Sequence, residues 1–283
     1  MNKKDVCIVI PIYKEVLNDY EVLSVVQCLK VLTEYKVYFV GPKGMDTNYY
    51  RSKFSEIENY IFFNEMYFKD LKGYNRLMLS PFFYKTFNNF KYLLLYQTDC
   101  YVFRDELLYW VNKEFDFIGG VLFKDYIGDP HKGAKLWQAG NGGLSLRKID
   151  SITELLNSRK VLKSLPKLFI DAKRLKKFGM ISYIKGLLLL PFRLLGYKNN
   201  FTYRAKNYTE NEDGFFIEAG LIYKAIKLPR VEDAIGFSWD RHPNFLFKTY
   251  GYYPFGCHAW FREDSHYVGN KEFWSKHIKN NNA

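Results

Sequence analysis

No two of the four cysteines, at 7, 28, 100 and 257, stand at a CxxC spacing, so the chain carries neither a zinc-ribbon signature nor a dithiol redox motif. Nothing implies a disulfide framework, and three of the four sit among apolar neighbours, where a cysteine serves as a small hydrophobe. Long apolar runs are missing too. The best candidate, Gly186-Leu-Leu-Leu-Leu-Pro-Phe-Arg-Leu-Leu-Gly196, is interrupted by Pro191 and Arg193 and falls short of the roughly 20 residues that cross a bilayer. The opening Met-Asn-Lys-Lys-Asp and the short apolar run ending at Pro11 lack the cleavage pattern of a secretory signal. Together with the cysteine usage, this points to a reducing, cytoplasmic setting. Acidic residues are scarce in one place: 159–198 holds eleven Lys or Arg against the single acid Asp171, a local +10 that carries nearly all of the formal +12. The rest of the chain is close to neutral and lacks the motifs of the common DNA and RNA modules, which argues against a nucleic-acid partner.

What is present is a chain of 283 residues, 48% hydrophobic and 19% aromatic, enough for a large buried core and incompatible with a disordered or fibrous class. Its organising stretch is Lys91-Tyr-Leu-Leu-Leu-Tyr-Gln-Thr-Asp99. Five apolar residues in a row, then a polar tip, predict a strand covered on both faces with a carboxylate at its end. In open α/β sheets that end is where ligands bind, although an Asp after a strand also serves simply to cap a turn.

The remaining elements fall in an α/β order. A strand ends at Pro11, which cannot donate to a ladder. A helix over 18–32 follows, with Asn18 or Asp19 as its cap and Val22, Val25, Val26, Leu29 and Leu32 on one face. Strands are predicted at 35–40, 60–63, 92–96, 115–122 and 144–146. Helices are predicted at 48–57, 105–111 capped by Asp105, and from 148 onward; a further helix over 74–87 is broken at Pro81. The stretch 126–143, rich in Gly, Pro, Asp, His and Trp, reads as a long functional loop, and 230–239 as a last strand region. Thr209-Glu-Asn-Glu-Asp-Gly-Phe-Phe216 opens an apolar helix running to 226, where Glu212 and Asp213 suit the helix dipole and are equally placed to act as a base. An aromatic loop around His258 follows.

Segment 159–200, basic and then leucine-rich, divides the chain into 1–158, the insertion itself, and 201–283. It has the composition of an amphipathic helical insertion that either lies on an anionic membrane surface or packs on the protein's own core.

Several separated motifs together resemble one pattern: Gly73-Tyr-Asn-Arg-Leu77 through Phe83-Tyr84, Tyr96-Gln-Thr-Asp-Cys-Tyr-Val-Phe-Arg-Asp-Glu106, Gly140-Asn-Gly-Gly-Leu-Ser-Leu-Arg147, and Asn211-Glu-Asp-Gly-Phe-Phe216 with Pro254-Phe-Gly-Cys-His-Ala259. The chain is similar to glycosyltransferases of the GT-A fold, and most of all to a bacterial-type family catalogued as a domain of unknown function. The resemblance implies a Rossmann-like, mixed and mainly parallel sheet flanked by helices. It also implies transfer of a sugar from a nucleotide-diphosphate donor to a glycan or lipid-linked saccharide acceptor in cell-surface polysaccharide synthesis.

In that family pattern an Asp-x-Asp motif holds a divalent cation, Mn²⁺ or Mg²⁺. Here Gln97 stands in place of the first carboxylate, leaving Asp99 and, by resemblance, His258 as the metal ligands. For the nucleotide sugar the resemblance implies Pro11, Tyr13, Arg76, Gln97, Asp99, Asn141, Gly142 and Gly143. Trp137 is a platform for the acceptor, and Asp213, with Glu212 as the alternative, the base of an inverting displacement. Location would be cytoplasmic, peripheral on the inner membrane face.

Three other readings stay open. A zinc site from Asp99-Cys100 and Cys257-His258 is disfavoured because neighbouring side chains of an extended chain point to opposite faces. A sugar nucleotidyltransferase would want a glycine-rich phosphate loop where Pro11-Ile-Tyr-Lys-Glu15 stands. A catalytically silent nucleotide- or membrane-binding module is the third.

Overall fold

The computed structural model describes residues 1–124 and 129–280. Its strands are β1 (Val6–Pro11), β2 (Lys36–Pro42), β3 (Asn59–Phe63), β4 (Tyr92–Tyr96), β5 (Tyr101–Val102), β6 (Phe117–Phe123), β7 (Leu136–Lys148), β8 (Ser238–Trp239) and β9 (Gly256–Cys257). They form one sheet in the order β3-β2-β1-β4-β7-β6-β8-β9-β5. The first four run parallel, as do β6, β8 and β9, while β7 lies antiparallel between β4 and β6. This is the mixed, mainly parallel α/β sheet flanked by helices that the sequence predicts.

Unbroken apolar runs become the central strands because both faces are covered. Val6, Ile8 and Ile10 of β1 join Tyr92, Leu94 and Tyr96 of β4 in one core, and Cys7 and Val9 join Leu93 and Leu95 in the other. β1 stops at Pro11 as expected. The next helix, Asp19–Val31, opens with a reciprocal cap: Asn18 Oδ1 accepts from the Glu21 amide, and Glu21 Oε2 accepts from the Asn18 amide, both at 3.0 Å. Pro81 separates Leu71–Met78 from Pro81–Lys85.

Three local expectations are corrected. Of the long loop placed at 126–143, residues 126–128 lie outside the described residues, and 136–143 belong to β7. There the register jumps from Ser145 opposite Gly119 to Asn141 opposite Gly120, so that 142–144 bulge. The glycines that suggested a loop are strand residues with no room for a side chain. The region 230–239 is mostly not strand: Val231–Ala234 is a helical turn, and only Ser238–Trp239 pairs. Finally, Asp105 caps nothing. Its carboxylate takes Lys3 at 2.6 Å and the Tyr35 hydroxyl at 3.1 Å, and the helix begins at Leu107.

Segment 159–200 adds no strand to the sheet. Its ends meet in an isolated bridge between Val161 and Asn200, and the helices Leu165–Arg174, Met180–Leu188 and Leu190–Leu194 fold back on one another.

Candidate active site

Because β1 has β2 on one side and β4 on the other, its neighbours' connections diverge in opposite directions and leave a crevice at the carboxyl ends of β1 and β4. A cleft of about 430 Å³ occupies it. Pro11, Tyr13 and Lys14 line it from the end of β1, and Gln97, Thr98 and Asp99 from the end of β4. Lys69, Asp70 and Tyr74 contribute from the start of helix Leu71–Met78, and Arg262 from the loop after β9. Glu21 closes its floor: beyond its capping role it accepts from Lys14 at 2.7 Å and from the Thr98 hydroxyl at 3.1 Å.

Strand ends bring the polar centre together. Asp99 follows β4, Asp240 follows β8 and His258 follows β9, with the His258 amide donating to the Trp239 carbonyl at 3.0 Å. Asn270, fully buried, donates to the carbonyls of both Asp240 and Ala259, tying the last two loops together. His258 Nδ1 lies 2.6 Å from Asp240 Oδ1, and its Nε2 lies 3.1 Å from Gln97 Oε1 and 3.3 Å from Asp99 Oδ1. The second oxygen of Asp99 meets Arg262 Nε at 2.8 Å. Burial opposes charge on His258, but Asp99 and Asp240 outweigh it and push its pKa up to about 10. Burial likewise raises Asp99, yet His258 and Arg262 hold it well below the usual carboxylate range.

The glycines of β7 complete the site from beneath. A Cβ on Gly143 would lie 2.2 Å from His258 Cδ2, and one on Gly142 would lie 2.5 Å from Glu212 Oε1. Their smallness seats those two side chains. The Gly143 carbonyl accepts the Gln97 amide at 3.1 Å, and the Gly142 amide donates to Asp213 Oδ2 at 3.3 Å. One bulge therefore holds both the strand-end carboxylate loop and the start of helix Glu212–Leu221.

The two acids there differ sharply. Glu212 pairs at 2.9 Å with Arg147, a fully buried guanidinium that also donates to Tyr84 and Ser145 and lies over the contacting rings of Phe117 and Phe216. Among the described residues Asp213 has backbone donors only, from Gly142 and Gly214. Burial, and then the neighbouring Glu212, push its pKa up to about 7.

Of the residues singled out from the sequence, Pro11, Tyr13, Gln97 and Asp99 share the cleft, with His258 on its polar centre. Gly142, Gly143, Glu212 and Asp213 pack behind them. Asn141 is buried, its Oδ1 accepting from the Gly143 amide at 3.0 Å, so it shapes the bulge. Arg76 is exposed on its helix and Trp137 is 45% exposed on β7; neither lines the cleft. Among the described residues, cations beside the site's carboxylates are Lys14 on Glu21, Arg262 on Asp99 and Arg241 on Asp240, which the sequence did not single out, nor did it single out Asp240 and Arg147. None of them carried a signal: Ser145 and Arg147 alternate with Leu144 and Leu146, which reads as the polar face of a half-exposed strand.

Among the described residues no three His, Cys, Asp or Glu side chains gather as metal ligands. The set Asp99, His258 and the Gln97 amide oxygen nevertheless fits a hard cation, which would take the place of the proton on His258 Nε2. Separations of 3.1 and 3.3 Å are close to the ~3 Å between adjacent donors at about 2.1 Å from an octahedral ion. Asp240 on Nδ1 is the partner that turns Nε2 toward a metal. Zinc held by the cysteines does not fit: the Cys100 thiol donates to the Gly143 carbonyl, and burial raises the pKa of both Cys100 and Cys257.

Fold and site define an α/β protein with a carboxylate, a histidine and an amide converging at strand ends beside an open cleft. The chain belongs to the family described as a protein of unknown function, DUF5672, whose family profile matches residues 57–258. That is the kind of family the motifs resemble. No curated protein matches the chain. Similar solved structures include the galactosyltransferase LgtC in complex with donor and acceptor sugar analogues, at 10% identity over 95% of this chain and 94% of that one, with a TM-score of 0.48. Mouse xyloside xylosyltransferase 1 in its apo form matches at 10% identity over 90% and 97%, with a TM-score of 0.46.

Proposed function

We propose that the protein is a nucleotide-sugar-dependent glycosyltransferase of hexosyltransferase type, transferring a sugar to a glycan or lipid-linked saccharide in cell-surface polysaccharide synthesis. The observation that carries this reading is that Gln97 and Asp99 both meet His258 Nε2 at the open end of the sheet, beside a cleft large enough for a nucleotide. The exposed Tyr13 ring offers a stacking surface for the base, and Lys14 and Arg262 offer charge to a diphosphate. Asp99 and His258, with Gln97, would hold Mn²⁺ or Mg²⁺, which supplies charge stabilisation to the departing nucleoside diphosphate.

Asp213 is the base in this scheme. Its carboxyl is held near neutrality, within range to take the proton of an acceptor hydroxyl in an inverting displacement, while Glu212 is committed to Arg147. Gly142 and Gly143 keep Asp213 and His258 on the two sides of one bulge, coupling the acceptor side to the donor side. The basic segment would keep the enzyme peripheral at the inner membrane face, where lipid-linked acceptors reside. No helix among the described residues is long and apolar enough to cross a membrane.

The test is release of nucleoside diphosphate from a panel of nucleotide sugars with Mn²⁺ present. Turnover that disappears in Asp99→Ala supports the reading, and undiminished turnover in that variant removes it.

A further inference from the structure

Segment 159–200 has too little interior for its composition. Within it only Leu168, Ala172, Gly186, Gly196 and Asn199 are buried, and Gly186 is small so that its helix can close on Ala172 and Leu175. Of the thirty large apolar side chains exposed among the described residues, fourteen lie between 161 and 197, about half of the total in a seventh of the chain. On Met180–Leu188 the exposed Met180, Ile181, Ile184 and Leu188 recur at helical spacing and form one face. At the turn after Leu190–Leu194, Leu195 is 87% exposed. Exposed apolar surface on this scale in a soluble chain marks an interaction site.

The charges identify what covers it. The segment's one acid, Asp171, is consumed by Lys163 at 2.7 Å and Arg193 at 3.5 Å, leaving the surplus positive charge unopposed within the segment. Where its stem meets helix Phe201–Lys206 there is a crevice of about 170 Å³ lined by Lys163, Arg193, Lys198, Tyr203 and Arg204. A second depression, sharing Lys198 and Tyr203, adds Arg159 and Lys206. The Nε atoms of Arg193 and Arg204 are buried there without a hydrogen-bond acceptor. Arg193 and Lys198 bracket the exposed Leu194, Leu195 and Tyr197 in sequence, so cationic and apolar groups share one turn. Basic groups beside exposed Leu and Tyr complement a bilayer that carries phosphate at its surface and hydrocarbon just below.

We propose that 159–200 is a membrane-docking module: its basic crevice takes the phosphate of an anionic lipid, while the turn at 192–197 and the exposed face of Met180–Leu188 enter the headgroup–acyl boundary. This deepens the membrane-surface part of the proposed function and is independent of sugar transfer. One of the crevice's cations, Arg204, pairs with Glu218 on the helix whose first turn carries Asp213.

The experiment is flotation of the full chain, without nucleotide, on phosphatidylcholine vesicles with and without phosphatidylglycerol, at low and high salt. Binding is expected only with the anionic lipid, weakening as salt rises. Lys198→Ala should weaken it roughly fivefold and Lys198→Glu more strongly. Leu195→Asp and Ile181→Asp, both at exposed sites, should reduce binding with the far-UV spectrum unchanged.

Absence of binding at low salt would overturn the proposal, as would equal binding to both vesicle types or indifference to these substitutions. Two outcomes would overturn it in favour of another occupant: dimers that Leu195→Asp dissociates, with no vesicle binding, or binding of single-stranded RNA in preference to vesicles. Since no nucleotide is present, failure here leaves the sugar-transfer reading standing, and the converse holds.

Discussion

Gly143→Ala tests how the site is assembled. The added Cβ would stand 2.2 Å from His258 Cδ2 and 2.3 Å from Nε2, where ordinary contact begins at 3.4 Å, so the imidazole must retreat by more than 1 Å. It has no slack. Nδ1 is held by Asp240 at 2.6 Å and Nε2 by Gln97 at 3.1 Å, and a shift of that size takes at least one of them beyond hydrogen-bond range. Overpacking a core position costs about 1–3 kcal/mol, and losing a charge-assisted hydrogen bond costs about 1.5–3 kcal/mol. A loss of about 3 kcal/mol is therefore expected, lowering Tm by about 5 °C in a chain of this size.

Metal-dependent nucleotide binding should fall further than stability does, because Nε2 is the atom displaced. Differential scanning calorimetry with titration of Mn²⁺ and nucleoside diphosphate reads both. Gly120→Ala is the control: its nearest neighbour is at 3.3 Å, and a small relaxation accommodates it. Parent-like melting and nucleotide binding in Gly143→Ala would refute the claim that the glycine seats His258.

The two adjacent acids should separate by phenotype. Glu212→Ala strands Arg147 in the core and should destabilise by about 3–5 kcal/mol in urea melts, whereas Asp213→Asn should abolish turnover and leave the fold intact. Asp213 also carries a pH signature. Burial raises its pKa from the ordinary 3.8 to about 7, so the folded state binds the extra proton between those values and stability falls as pH rises through that window, by at most about 1.4 kcal/mol per unit. Asp213→Asn should remove that slope and be the more stable protein at pH 8. Parent turnover should rise through pH 7 as the carboxylate forms, and a flat profile across that range would remove Asp213 as the base.

The strand-tip carboxylate was legible from a local rule, that polar residues at the end of a doubly buried strand face the ligand side, whereas the distant histidine came only from the family resemblance, because the two-residue strand before it is too short to read from sequence. The glycines at 140–143 were readable as special but not for their reason. Gly and Asn together look like a turn, and only the side chains of His258 and Glu212, far away in sequence, show that this backbone must be bare while remaining strand. Arg147 was missed because a buried guanidinium depends on partners at 84, 145 and 212 that no local pattern announces. Asp240 and Arg262 lie in loops ordered by tertiary contacts such as those of Asn270, so neither periodicity nor spacing marks them. The 230–239 stretch was read as strand from its apolar residues, but Glu232 and Asp233 start a helical turn and leave two residues for the sheet.

The central claim, a nucleotide diphosphate held through a cation by Asp99, His258 and Gln97, is tested most directly by calorimetric titration of uridine and guanosine diphosphates into the protein with and without Mn²⁺, beside Asp99→Asn. The account predicts binding of one of them that needs the metal and disappears in the variant. Binding that is indifferent to both metal and Asp99, or no binding of either nucleotide, would contradict it.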